Sequence, residues 1–324
     1  GTESDRDSIQ PAISADGTVV AFTSDATNLD PNAADTNGKR DVFVRNVSSN
    51  TTRRVSVVNG TAAEADGDSQ TPSLSSDGHY VAFASLADNL VAGDGNVVSD
   101  IFVYDNTGSG TNGVVNRISL TNTNTEAVDP SPSAPRDQRL GSVNPTISSD
   151  GRYVAFASLA NNLTAGDSSG QYQAGDSNGA LDIFVRDRQV SGSGAFDVGG
   201  NTSTTMVSVN TFGYQTNGLL GVASTAASNI YPVISSNGRF VAYPTDAENT
   251  AGLAFGVTNL LPLDSNGVRD IFLFDRRTNA SINPSSSPIV TITSPGTGGS
   301  ALVNTSIPIT ASATAATING TTVG

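Results

Sequence analysis

Residues 145–151 read Pro-Thr-Ile-Ser-Ser-Asp-Gly, residues 153–156 read Tyr-Val-Ala-Phe, and residues 182–187 read Asp-Ile-Phe-Val-Arg-Asp. Close variants of these three segments recur in the same order from Pro11, Pro72 and Pro232, so the 324-residue chain holds four copies of one pattern. Self-similarity with a period of tens of residues is typical of repeat architectures. Because every copy needs the shared residues to fold, a match between copies favours a structural role for them.

Each copy consists of short apolar segments with the character of β-strands. The segments are rich in Val, Ile, Phe and Tyr and are bounded by Gly, Asn, Asp and Pro. In the second copy they predict strands near 73–75, 80–85, 101–105 and 116–120. The link Ser76-Asp77-Gly78 has hairpin-turn chemistry, since Asp bonds to its own backbone and Gly accepts a positive φ.

The second and third strands of each copy are apolar on both faces. Tyr80, Ala82 and Ala84 point one way, and Val81 and Phe83 point the other. A half-exposed strand would alternate with polar residues, so each small sheet is predicted to lie between two neighbours. Four-stranded antiparallel sheets packed face to face around an axis form a β-propeller. The predicted fold is therefore an all-β propeller of four four-stranded blades.

The copies resemble the TolB-type, WD40-like propeller repeat of bacterial envelope and secreted proteins. The resemblance rests on the Pro-x-Ile-Ser-x-Asp-Gly opening, the Val-Ala-Phe strand and the Asp-Ile-Phe-Val-x-Asp strand, and it covers about residues 8 to 283. It implies the blade structure but not a function, because one fold carries many functions. Four blades are near the lower limit for a closed propeller. Either the chain forms a compact ring, which we favour, or blades of another chain complete it.

The composition changes after about residue 283, where a Pro- and Ser-rich linker precedes a Thr-rich tail with short predicted strands. The tail resembles the first strands of bacterial immunoglobulin-like domains. It is either the start of such a domain or a hairpin donated to a neighbour by β-augmentation. The predicted units are a propeller over 1–283 with blades near 8–58, 69–120, 142–209 and 229–283, a linker over 284–288, and a partial immunoglobulin-like β segment or donated strand over 289–324.

The charge balance excludes some partners. Thirty Asp and Glu residues against 16 Lys and Arg give a formal net charge of −14, which argues against nucleic acid. No apolar run approaches the roughly 20 residues of a membrane-spanning helix. The absence of Cys and the abundance of Ser, Thr, Asn and Gly resemble bacterial cell-surface proteins. We therefore expect a secreted or cell-surface bacterial protein.

An acidic loop recurs just before the third strand of each copy. Calcium prefers six to eight oxygen ligands, and Asp and Asn two residues apart, followed by a bend and another Asp, can supply several of them. The predicted calcium ligands are Asp35, Asn37, Asp41, Asp94, Asn96, Asp100, Asp176, Asn178, Asp182, Asp264, Asn266 and Asp270. The second copy lacks the later Gly and should bind more weakly. The same residues could instead form ordinary Asx-turns, with the last Asp accepting backbone N–H groups.

Catalytic groups are scarce. The chain has no Cys and a single His, and His79 follows a turn, which predicts a solvated side chain rather than a catalytic base. Arg54 and Arg117, each taken alone, give no indication of a catalytic role. Nearly all Asp residues occupy repeat-equivalent positions, which favours a structural role for them. The sequence therefore predicts no enzyme and no catalytic residues.

The resulting hypothesis is a non-catalytic, calcium-stabilised propeller that self-associates. One form of such an assembly is an extracellular filament whose subunits are joined through the β tail. Its partner would be another copy or another surface protein. One alternative is a TolB-like module that binds a protein or peptide. A second alternative is a propeller hydrolase that acts on polysaccharide.

Overall fold

A computed structural model describes most of the four repeats. The described residues are 3–33, 35–106, 113–128, 141–164, 180–192, 194–209, 230–245, 270–276, 317–318 and 321–322. All regular structure among them is β-strand, so the described part of the chain offers no helix long and apolar enough to cross a membrane.

The strands form one antiparallel sheet per repeat, and each sheet keeps the order of the chain. Blade 1 contains β1 (Ser8–Ile13), β2 (Val19–Ser24), β3 (Asp41–Asn46) and β4 (Thr51–Arg54). Blade 2 contains β5 (Ser69–Leu74), β6 (Tyr80–Ser85), β7 (Asp100–Asp105) and β8 (Val114–Arg117). Blade 3 contains β9 (Ser142–Ile147), β10 (Tyr153–Ser158), β11 (Asp182–Asp187) and β12 (Ser203–Met206). Blade 4 contains β13 (Val233–Ile234), β14 (Phe240–Thr245) and β15 (Asp270–Asp275).

The turn between the first two strands of each blade has the predicted chemistry. In blade 1, Asp16 Oδ1 accepts hydrogen bonds from Ser14 Oγ at 2.7 Å and from the Thr18 amide at 3.0 Å. Gly17 follows with a φ of +73°, a conformation that side chains rarely adopt. The turns of blades 2 and 3 repeat these bonds around Asp77 and Asp150. The turn thus fixes the register of each hairpin.

The blades stack in chain order, and the central strands of blades 2 and 3 are buried on both faces. Val81 and Phe83 pack against blade 1, whereas Ala82 and Ala84 pack against blade 3. The predicted burial on both faces is therefore confirmed for blades 2 and 3, whereas blade 4 exposes Ile271 and Leu273 on its outward face. The first strands contact one another in series, β1 with β5, β5 with β9 and β9 with β13, as inner strands of a propeller do. The chain is all-β, and its sheets are propeller blades.

A bulge in the first strand of blades 1 to 3 was not predicted. It falls just before the shared proline, where Gln10, Thr71 and Asn144 have φ values of 54° to 55°. The bulge residues tie neighbouring blades together: Gln10 Oε1 accepts from the Thr71 amide at 3.1 Å, and Asn144 Nδ2 donates to the Ile230 carbonyl at 2.7 Å. The left-handed backbone thus aims polar side chains across the junction.

Part of the predicted organisation lies outside the described residues. This applies to the end of blade 4, the linker over 284–288 and most of the segment over 289–324. Within that segment the structure describes one short hairpin, β16 (Thr317–Ile318) paired with β17 (Thr321–Thr322). The immunoglobulin-like resemblance and the unit boundaries stay predictions.

Candidate functional site

The acidic loop of blade 1 surrounds an arginine side chain. Arg54 ends β4, and its Nη1 lies 3.3 Å from Asp41 Oδ2, 3.8 Å from Asp35 Oδ1 and 3.1 Å from Glu64 Oε1. The Arg54 side chain is only 1% exposed. Asn37 does not point its oxygen at this centre, because Oδ1 accepts from the Lys39 amide at 2.7 Å and forms an Asx-turn. The guanidinium occupies the place where the sequence predicts a cation.

Blade 2 repeats the arrangement. Arg117 Nη1 lies 2.9 Å from Asp94 Oδ1, 3.6 Å from Asp100 Oδ2 and 2.8 Å from Glu126 Oε1. One carboxylate oxygen from each acid lies within 4.8 Å of the others, which is a spacing that suits a metal ion. A resident guanidinium supplies the positive charge instead. Asn96 again forms an Asx-turn, with Oδ1 accepting from the Val98 amide at 3.1 Å.

Burial sets the electrostatics of these two clusters. It raises the pKa of Asp41 and that of Asp94 to about 7, and it raises the pKa of the fully buried Asp100. Burial opposes the charge of Arg117, but the carboxylates of Asp100 and Asp94 outweigh it and raise the pKa of the guanidinium. Glu126 has a lowered pKa, because bonds from the Gly95 amide and Arg117 outweigh its burial. Arg117 and Glu126 thus form a charged pair beside acids that bind protons readily.

In blades 1 to 3 the last Asp of the loop has a structural partner. Ser56 Oγ donates to Asp41 Oδ1 at 2.5 Å, and Ser208 Oγ donates to Asp182 Oδ1 at 2.6 Å. Ser119 Oγ makes the same bond to Asp100 in blade 2. Each serine hydroxyl also accepts from the backbone amide that follows its aspartate, at 3.0 Å. These buried pairs fasten the start of the third strand to the residues after the fourth.

Blades 3 and 4 differ from this pattern. Met206 takes the position of Arg54 and Arg117, since it pairs with Phe184 as those arginines pair with Phe43 and Phe102. Asp182 begins β11 and is fully buried. Asp270 begins β15. The remaining predicted ligands, Asp176, Asn178, Asp264 and Asn266, lie outside the described residues.

Sequence reasoning missed the groups that complete the clusters. Arg54 and Arg117 were interpreted as lone residues, and the structure corrects that interpretation, because each is the cation of a buried cluster. A signal was present, since Arg54-Val55-Ser56 and Arg117-Ile118-Ser119 are repeat equivalents. His79 is solvated as predicted, with 54% of its side chain exposed and its Nδ1 3.0 Å from Asp77 Oδ2.

The ends of the blade stack are the second notable feature. On the free face of blade 1, Ile13 is 65% exposed, although its equivalents Ile147 and Ile234 are nearly buried. On the far face of blade 4, Ile271 is 53% and Leu273 40% exposed. Their equivalents in the other blades, Val42, Val44, Ile101, Val103, Ile183 and Val185, are buried. The end faces carry junction residues without a covering blade, so the described residues do not form the closed ring favoured from the sequence.

A shallow apolar pocket of about 420 Å³ lies on the free face of blade 1. Ile9, Pro11, Val20 and Phe22 contribute to its lining. It lies on the face that would meet a further blade, since the equivalents of Val20 and Phe22 in blade 2, Val81 and Phe83, pack against blade 1.

Comparisons with known proteins give similar solved structures. No protein-family model and no curated protein matches the chain. The chain is similar to the solved structure of TolB from Acinetobacter baumannii, at 17% identity and a TM-score of 0.36 over 74% of this chain and 38% of that one. A putative TolB from Agrobacterium tumefaciens gives 17% identity and a TM-score of 0.37 over 73% of this chain and 53% of that one. The chain thus spans about two fifths to one half of these TolB chains.

A propeller domain of a protease is also similar. The β-propeller domain of the Trilobed protease from Pyrococcus furiosus has 12% identity and a TM-score of 0.31 over 85% of this chain and 70% of that domain. The propeller fold of this chain rests on the strand pairing and the blade stacking described above.

Proposed function

We propose that this protein is a non-catalytic structural protein of the bacterial cell surface or exterior, and that it works by self-association. One observation carries the proposal: among the described residues, the stack of blades ends in two apolar faces that no further blade covers. Ile13 on one face and Ile271 on the other are more than half exposed at positions that neighbouring blades cover elsewhere. Burying such a side chain stabilises an interface by about 1 to 2 kcal/mol, which favours association.

The charged groups support a structural role. In blades 1 and 2 the buried carboxylates of the acidic loops form ion pairs with Arg54 and Arg117. The carboxylates of Asp41, Asp100 and Asp182 also accept hydrogen bonds from serine hydroxyls. These contacts join the acidic loops to the fourth strands and to the residues that follow them, which supports a structural role. Self-association in these blades therefore needs no bound metal. Calcium stays a prediction for the third and fourth copies, where most of the proposed ligands lie outside the described residues.

The mass of the intact protein in solution tests the proposal. We expect light scattering to show assemblies larger than the 32.9 kDa monomer. The assemblies should grow with salt, because screening weakens repulsion between copies that each carry a net charge of −14. They should also persist in a chelator. A monomer at every concentration and salt level would refute self-association, and dissociation in chelator would show that calcium joins the copies.

A binding module is the second candidate, and the pocket on blade 1 favours it. Ile9, Pro11 and Phe22 form an apolar depression that could receive a protein or peptide segment. This function predicts a monomer that captures a different protein in a fixed ratio, whereas the first predicts that the face is covered by another copy.

A further inference from the structure

We propose that the copies join head to tail, with the free face of blade 1 of one copy seated on the far face of blade 4 of the next. This proposal rests on the self-association proposed above and names its interface. The occupant is a second copy because each end face carries one half of the contact set that joins consecutive blades inside the chain. Three separate features of the internal junctions show this.

The first feature is a series of backbone hydrogen bonds between turns. The Ala15 amide donates to the Ser76 carbonyl at 2.8 Å, and the Ser76 amide donates to the Ser149 carbonyl at 3.0 Å. The Ser149 amide donates to the Ser236 carbonyl at 2.9 Å. Within the described residues the series ends at Ser236, in an exposed turn. A second copy would continue it, with the Ser236 amide donating to the Ala15 carbonyl of that copy.

The second feature is a glycine that packs against the preceding blade. A Cβ added to Gly78 would lie 2.7 Å from Val19, one added to Gly151 would lie 2.2 Å from Tyr80, and one added to Gly238 would lie 2.0 Å from Tyr153. Gly17 is the equivalent in blade 1, and a Cβ there would meet only Ile13 of its own blade, at 4.0 Å.

The matching position on the far face of blade 4 is Phe240, the repeat equivalent of Val19, Tyr80 and Tyr153. It begins the second strand of its blade as they do. In a head-to-tail contact, Gly17 of one copy would pack on Phe240 of the other. The blade 1 end thus presents the glycine turn at Gly17. The blade 4 end presents the Phe240 ring at the position that such turns cover inside the chain.

The third feature is the residue that covers this ring. Arg188 of blade 3 lies over the Tyr80 ring with its Cζ 5.0 Å from the centroid, and Arg276 of blade 4 lies 4.3 Å from the Tyr153 centroid. The equivalent residue in blade 1 is Val47, whose amide donates to the Thr18 carbonyl as the Arg188 amide donates to the Arg152 carbonyl. Val47 is 54% exposed. Covering Phe240 of another copy would give this exposed valine an apolar partner.

Such an interface is heterologous, since different surfaces of the two copies meet. If the rotation between copies closes, two chains form an eight-bladed ring, and if it does not close, the chains form a filament. Both products have the same contacts. A pair of variants that each block one end therefore tests the interface itself.

Gly17→Asn blocks the blade 1 end. Asn tolerates the positive φ of this turn, and no atom of another blade lies within 4 Å of the added Cβ, so the variant should fold. Ile271→Asp blocks the blade 4 end at a position that is already 53% exposed. The matched controls are Gly60→Asn, at a glycine with a φ of +72° and open space, and Val190→Asp, at a valine that is 50% exposed away from both faces.

The experiment measures the mass of each variant by light scattering, with thermal melts to confirm folding. We expect both blocked variants to fall to the 32.9 kDa monomer while both controls assemble like the wild type. A 1:1 mixture of the blocked variants keeps one intact end of each kind, so it should form dimers of twice that mass and nothing larger. If both substituted variants still assemble like the wild type, the head-to-tail interface is overturned, and self-association is retained. A wild type that is monomeric at all concentrations would overturn both proposals.

Discussion

Arg117 Nη1 lies 2.9 Å from Asp94 Oδ1, inside a set of carboxylates whose sequence pattern predicts a calcium site. The side chains of these two residues are 8% and 2% exposed, so the charge pair is shielded from water. Asp100 and Glu126 complete the set around the same nitrogen. The guanidinium of Arg117 therefore supplies the positive charge that the sequence pattern assigns to a bound calcium ion. Without that cation the ionised carboxylates would be buried unpaired, which destabilises the fold.

Removing the guanidinium should expose a dependence on calcium. Arg117→Met leaves Asp94, Asp100 and Glu126 without their counterion, and breaking a buried pair of this kind costs about 3 to 5 kcal/mol. Calcium can replace the charge, because it prefers clustered carboxylate oxygens. We expect the variant to melt earlier than the wild type and to regain stability with millimolar calcium. Met206 at the equivalent position of blade 3 shows that the fold accepts methionine there.

The control for this prediction is Lys39→Met, which removes an exposed positive charge outside the cluster. Its melting temperature should stay near that of the wild type with or without calcium. Equal effects of calcium on wild type, control and Arg117→Met would show that the ion does not act at this cluster.

The buried aspartates should make stability depend on pH near neutrality. Burial raises the pKa of Asp41 to about 7, compared with about 3.9 in an unfolded chain, so the folded state binds this proton more tightly. Protonation of this group should therefore raise the free energy of unfolding by about 1 kcal/mol as the pH falls from 8 to 6. This contribution is lost as the pH rises through 7. Urea denaturation at several pH values measures the slope.

The opposite trend is expected in acid. The pKa values of Glu64, Glu126 and Asp16 are lowered in the folded state, so their contribution to stability is lost as the pH falls below about 4. In Asp41→Asn the slope between pH 6 and 8 should become smaller but should not vanish, because the pKa of Asp94 is also about 7, while the loss in acid should remain. An unchanged slope in this variant would assign the effect to other groups.

The serine hydroxyls that bind the last Asp of the loop in blades 1 to 3 should matter for stability. Ser208→Ala leaves a fully buried aspartate without the bond that it accepts at 2.6 Å, and the Ile183 amide without its 3.0 Å acceptor. We expect a loss of about 1 to 3 kcal/mol in the free energy of unfolding. Ser49→Ala, at an exposed turn, should change stability little. Equal losses in the two variants would contradict the importance of the buried pair.

Glycine substitutions should separate junction packing from backbone strain. Gly151 and Gly60 have φ values of +76° and +72°, but a Cβ at Gly151 would lie 2.2 Å from Tyr80, whereas Gly60 faces open space. Gly60→Ala should cost about 1 to 2 kcal/mol for its left-handed conformation. Gly151→Ala should cost about 1 to 3 kcal/mol more, because blades 2 and 3 must move apart. Thermal melts that show equal losses would refute the close approach of these blades.

The blades were predictable because their signals are local and repeated. The turn around Asp77 and the alternation of Val81 and Phe83 with Ala82 fix the strand order and both buried faces, and four copies remove most of the ambiguity. The bulge at Thr71 was not predictable, since a β-branched residue rarely adopts a φ of 55° without tertiary contacts that hold it there.

The sites were less predictable because they join distant parts of the chain. Asp94 precedes the third strand of blade 2 and Arg117 ends the fourth, so the two meet only when the blade has folded. The exposure of the end faces was not predictable from the sequence for a different reason. Ile13 and Ile147 are alike in the repeat pattern, and only the stacking of blades shows that one is exposed and the other buried.

Amide hydrogen exchange at increasing protein concentration tests the self-association of the end faces most directly. Assembly should slow exchange at both ends together, in peptides that contain the Ala15 turn, the Ser236 turn and β15. A peptide from β7, which is buried inside the stack, should exchange equally at all concentrations. Protection that rises with concentration at both ends and nowhere else is the predicted result. Exchange at the two ends that does not change with concentration, or new protection confined to other surfaces, would contradict the account.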